Sequence, residues 1–242
     1  MSIREEDATS HKKSSVWVWL ALGACLLLLL GALSYYFLTF PVYTGPHNPI
    51  QNTIKCLEAG LAGFRADFGD YPPSDKDHSA AYPFGYQNLA FYLCGPEGKG
   101  WGGPAGGAMP FGGKSEKTFG PYFEGESSGL GKDLAEGVSD SFRPPMPILY
   151  FRAEPTEDPV FDAADNPLDP TGRKGFASQE HFERLARRAD GQWVRTDYLL
   201  ISAGLDRRFG YAVQDAESGL SRPARPDEKE KAWCDDVTNF VH

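Results

Sequence analysis

Apolar positions change their spacing several times along the chain, and each spacing predicts a different element. From Val16 to Phe40 (VWVWLALGACLLLLLGALSYYFLTF) apolar residues dominate and no charge interrupts them. That exceeds the roughly 20 residues needed to cross a bilayer, so a transmembrane helix is predicted over 16–40. Trp17 and Trp19 lie near one end and Tyr35 and Tyr36 near the other, as an interfacial aromatic belt would place them. Lys12 and Lys13 precede the run, and the next Lys or Arg is Lys55. The positive-inside bias then puts residues 1–15 in the cytoplasm and everything after Phe40 outside.

A proline-rich linker over 41–49 separates that run from a second pattern. Ile50, Ile54, Leu57, Leu61, Phe64 and Phe68 recur at steps of four and three, which draws one stripe along a helix. Asn48 is placed to cap it, Pro49 suits the first helical position, and Gly69 with Pro72 and Pro73 ends it. A shorter helix is predicted at 86–94, and 95–120 is so glycine-rich that it reads as loop. PILYFRA (147–153) and DYLLISA (197–203) are rich in branched and aromatic residues and read as strands. Between them a polar insertion, 154–192, carries one helical stretch over 178–190 in which Phe182, Leu185, Ala186 and Ala189 share a face.

Composition narrows the function classes. With 24 Lys and Arg against 33 Asp and Glu the chain carries a formal charge of −9, which disfavours a nucleic-acid partner. AMPFGGKS (108–115) lacks the first glycine of a phosphate-binding loop and its flanking strand and helix, so no nucleotide is expected. The five histidines are scattered, no GxSxG elbow occurs, and no acid pair stands out, so no enzyme is predicted. Four cysteines form no CxxC pair. In an oxidising compartment a disulfide between Cys94 and Cys234 is the preferred pairing, because Cys56 lies beside the helical stripe.

Several blocks in order resemble the major pseudopilin of type II secretion systems and its type IV pilin-like relatives. They are TIKCLEAGLAGFRADFGDYPPS (53–74), LAFYLCGP, GPYFE (120–124), PILYFRA, DYLLISAGLDRRFG (197–210) and DDVTNF (235–240). The resemblance implies an α+β pilin-like fold, the striped helix lying across a small antiparallel sheet. It implies a single-pass protein of the inner membrane with a periplasmic domain over 50–242, whose partners are pilin-like subunits or secretion-system proteins. It also implies a calcium ion held by Asp206, by Asp235 or Asp236, and by a backbone carbonyl near Ala203. Oxygen-rich flexible loops of this kind suit calcium. The resemblance stops at the N-terminus: no prepilin-peptidase sequence precedes Val16, and no acid lies between Ser14 and Phe40. Two alternatives therefore stand beside an assembly component: a free-standing anchored binding domain that does not polymerise, and an anchored hydrolase.

Overall fold

A computed structural model provides the structure and describes residues 49–75, 81–124, 134–154, 156, 159–214, 221–224, 227–228 and 234–240. The described residues begin with helix α1, Pro49–Phe68, followed by helix α2, Gly85–Cys94. Four two-residue strands follow: β1 (Trp101–Gly102), β2 (Gly107–Ala108), β3 (Lys114–Ser115) and β4 (Thr118–Phe119). Next come β5 (Leu149–Arg152), helix α3 (Gln179–Ala186) and β6 (Tyr198–Ser202). The remaining strands are β7 (Ala212–Gln214), β8 (Ser221–Pro223) and β9 (Val237–Thr238).

The central sheet runs β5-β6-β9 and is antiparallel throughout. Leu149 pairs with Ile201 and Arg152 with Tyr198, so the two predicted strands meet over four residue pairs. Alternation along them divides the core in two. Ile148, Tyr150, Tyr198 and Leu200 join one buried cluster with Ile50, Ile54, Leu57, Leu61 and Phe64 of α1 and Leu89 and Leu93 of α2. Leu149, Phe151, Leu199 and Ile201 join a second cluster with Phe161, Phe176, Phe182, Leu185, Trp193 and Phe209. Leu57 and Leu61 are wholly inaccessible, and full burial of a leucine contributes about 1.5–3 kcal/mol. The stripe read from the sequence is therefore what α1 buries.

Both faces of the sheet are covered, not only the one across which the striped helix lies. The insertion supplies the second cover. Ser178 caps α3, its hydroxyl accepting from the His181 amide, and the helix buries Phe182, Leu185 and Ala186. The segment over 95–120 also differs from a plain loop, since β1 pairs with β4 and β2 with β3. Trp101 anchors it through an Nε1–H donated to the Tyr92 carbonyl at 2.8 Å.

The open edge of β5 is occupied by side chains. The buried Asn166 donates from Nδ2 to the Tyr150 carbonyl (2.8 Å), and its Oδ1 accepts from the Tyr86 amide (3.1 Å). The Ser74 hydroxyl accepts from the Arg152 amide at 2.9 Å. An edge strand whose polar groups are taken up in this way is closed to further strand addition. On the other side β9 is short but clamped. Asn239 Oδ1 accepts from the Leu200 amide at 2.8 Å. Arg195 Nη1 donates both to the Asn239 carbonyl (3.1 Å) and to Glu58 of α1 (3.2 Å).

Two expectations are corrected. Among the described residues no helix is long and apolar enough to cross a membrane. The transmembrane helix expected over 16–40, the tail over 1–15 and the linker residues 41–48 lie outside the described residues. The described residues form an α+β fold of three α-helices and small antiparallel sheets, with no membrane helix among them. The inner-membrane placement, which rested on that span, is withdrawn.

Candidate calcium site

Register brings the expected ligands together. Ser202 pairs with Val237, and the strands are antiparallel, so residues just after β6 lie opposite residues just before β9. Ala203, fully buried, and Gly204 thereby face the Asp235–Asp236 pair, although Asp206 and Asp235 are 29 positions apart. Gly204 has φ of 63°, and a Cβ there would stand 2.3 Å from the Asp235 carbonyl oxygen and 2.7 Å from its Oδ1. Only glycine admits the tail so closely.

Each carboxylate uses one oxygen to shape the loop. Asp235 Oδ2 accepts from the amides of Leu205 (2.7 Å) and Asp206 (2.9 Å). Asp206 Oδ1 accepts from the Arg208 amide at 2.8 Å, and Asp236 Oδ2 from the Gly210 amide at 2.7 Å. The second oxygens, Asp206 Oδ2, Asp235 Oδ1 and Asp236 Oδ1, are buried with no hydrogen-bond partner. Orphaned carboxylate oxygens are costly unless something supplies positive charge.

The electrostatics agree. Burial first, and then the charge of Asp235, push the Asp206 carboxyl up to about 7. Burial also raises Asp236 well above the usual carboxylate range, with Asp235 and Asp206 adding to it. Arg208 turns its side chain to the Thr171 carbonyl, and its charge partly offsets the upward push on Asp206. Arg207 takes a left-handed backbone, with φ of 63°.

The donor set fits calcium in chemistry: hard oxygens, anionic, on a loop end and a tail. It is not drawn in to coordination geometry, since among the described residues no group of three or more His, Cys, Asp or Glu side chains is arranged to hold a metal. Asp206, Asp235, Asp236 and Ala203 were expected from the resemblance, and the structure brings the three acids to one end of the β6–β9 ladder. The sequence did not show the role of Gly204, for which the sole signal is its place at the strand end.

The expected disulfide is not formed. Cys94 and Cys234 are free thiols, as is the exposed Cys56. Cys94 belongs to the α1–α2 side of the sheet, with its Sγ 3.4 Å from the Phe123 carbonyl, while Cys234 packs against the opposite cluster. The sheet itself stands between them, and each thiol is pushed up by burial, Cys94 to about 11 and Cys234 to about 12.

No protein-family model, curated protein or solved structure matches this chain.

Proposed function

We propose that the chain is a pseudopilin-like structural or interaction protein, rather than an enzyme, whose C-terminal segment is fastened to the sheet by calcium. The observation that supports this reading is the convergence of Asp206, Asp235 and Asp236 at the end of the β6–β9 ladder, each with one buried oxygen unsatisfied. The bound ion would supply the positive charge those oxygens lack. Asp235 and Asp236 precede β9 directly, so whatever holds them also holds the strand and the Asn239 clamp. On this reading calcium fixes the surface built by the tail, and other pilin-like subunits or secretion-system proteins are the partners that surface serves.

The test is thermal unfolding of the full chain with calcium and with chelator. A ligand at about 100 times its dissociation constant stabilises by about 2.7 kcal/mol, which raises the midpoint roughly 5–10 °C for a domain of this size. Asp235→Asn should abolish that shift, because it removes a charge at the centre of the set while sparing the fold's core. An unchanged midpoint in the unsubstituted chain would remove calcium from the proposal.

A further inference from the structure

A polar cleft of about 520 Å³ opens away from the calcium loop, where the end of α1 meets the end of β5 and the start of β6. Its volume lies within the roughly 300–1,000 Å³ typical of small-ligand sites. Arg65, Tyr71, Arg152, Glu154 and Thr196 contribute to its walls. Both signs of charge are present, so which groups are already engaged decides what the cleft can take.

The acids on the inner wall are engaged. Asp70 accepts from Arg152 Nη2 at 2.6 Å and from the Tyr71 amide at 2.7 Å. Asp197 is gripped through both oxygens by Arg195, at 3.0 and 3.3 Å, and also accepts from the Tyr198 amide and the Tyr71 hydroxyl. The guanidinium groups are engaged only in part. Each carries five N–H donors, and among the described residues each gives a single one to a protein side chain: Arg65 to the Tyr71 hydroxyl at 3.0 Å, Arg152 to Asp70. Arg65 also lies over the Tyr71 ring, 4.9 Å from its centroid. The unfilled donors of the cleft are therefore those of planar guanidinium groups, the form that matches a carboxylate. Glu154, exposed at the edge, offers an acceptor for a ligand N–H.

We propose that this cleft binds the carboxylate of an acylated amino acid or peptide C-terminus, its two oxygens between Arg65 and Arg152 and its adjacent amide N–H on Glu154. The site is independent of the calcium loop.

The experiment follows the Arg65 and Arg152 Nε–H resonances of the full chain by NMR during titration with N-acetyl-dialanine, its C-terminal amide, and acetate. Saturable shifts with a dissociation constant on the order of 1 mM are expected for the free acid. The amide should bind roughly tenfold more weakly or not at all, because a charge-assisted hydrogen bond is lost. Arg65→Lys, on an exposed helix position, should weaken the acid by a similar factor while the amide spectrum stays folded. Glu154→Gln should weaken N-acetyl-dialanine and leave acetate unchanged. No saturable shift, equal binding of acid and amide, or acetate binding as tightly as the dipeptide would each overturn the proposal.

Discussion

The two faces of the central sheet are buried to the same depth by segments built in opposite ways. On one face α1 and α2 come from the contiguous stretch 49–94 and lay a regular stripe of aliphatic residues against Tyr150 and Leu200. On the other, 159–211 winds through a short turn, the eight-residue α3 and long irregular connections, and fills the space mainly with aromatic rings. Phe151 stacks on Phe182 at 4.5 Å, Phe176 meets Phe182 at 5.1 Å, and Phe161 meets Trp193 at 5.1 Å. Arg187 then closes over the Trp193 ring at 3.9 Å. Rings are as numerous on the helical face, where Phe64, Tyr92, Trp101 and Phe123 are buried, but there the helical repeat sets where the side chains fall. An irregular segment has no such repeat, and bulky rings must make the contact wherever the chain passes.

The comparison can be broken most directly by matched truncations. Phe182→Ala should cost about 3–5 kcal/mol and Leu61→Ala about 2–5 kcal/mol, both read by chemical denaturation. Loss of less than 1 kcal/mol at Phe182 would make the second face an ornament rather than half of the core. A smaller effect is expected where the two faces meet the sheet edge. Asn166→Ala leaves the Tyr150 carbonyl and the Tyr86 amide without partners, which should cost about 2–4 kcal/mol. If the substituted chain keeps its stability, the edge is closed by something other than Asn166.

The smallest effect distinguishes the faces by pH. Asp165, next to Asn166, is held by the Ser74 hydroxyl and pushed by burial from 3.8 up to about 6. A raised folded-state value means the protonated form is favoured in the fold. Stability from this group is thus fully present below about pH 4 and is lost as pH rises through about 6. His181 on α3 is shifted the other way: burial lowers it, so its cost appears as pH falls below 6.5. Asp165→Asn should therefore flatten the decline between about pH 4 and 6 and raise stability at neutral pH by about 2 kcal/mol, allowing for partial exposure. A melting profile unchanged from the parent across that window would show that Asp165 is solvated.

The same contrast explains what could be read before the fold was known. α1 was legible because Ile50 to Phe64 repeat at helical spacing, and β5 and β6 because branched and aromatic residues cluster there without interruption. The second cover was not, since Phe161, Phe176, Trp193 and Phe209 share no period and look like isolated apolar residues in polar loops. Burial of both strand faces was nevertheless written in LYF and YLLI, which do not alternate with polar residues. Asp206 and the tail acids were found by resemblance, but that their spare oxygens would be buried depended on strand register. The Cys94–Cys234 expectation failed because no spacing tells which side of a sheet a cysteine will occupy. Arg65, Tyr71 and Asp70 were visible only as the end of a helix; their grouping with Arg152 requires the pairing of distant strands.

The clamp at Asn239 has a consequence for biosynthesis. Glu58 shares Arg195 with a residue 181 positions later, so the last rung of the sheet cannot be laid until translation has passed the tail. A chain that ends before that point leaves β6 with one bare margin. Released chains truncated before Asp235 should be cut by protease near Ser202, while the full chain should resist.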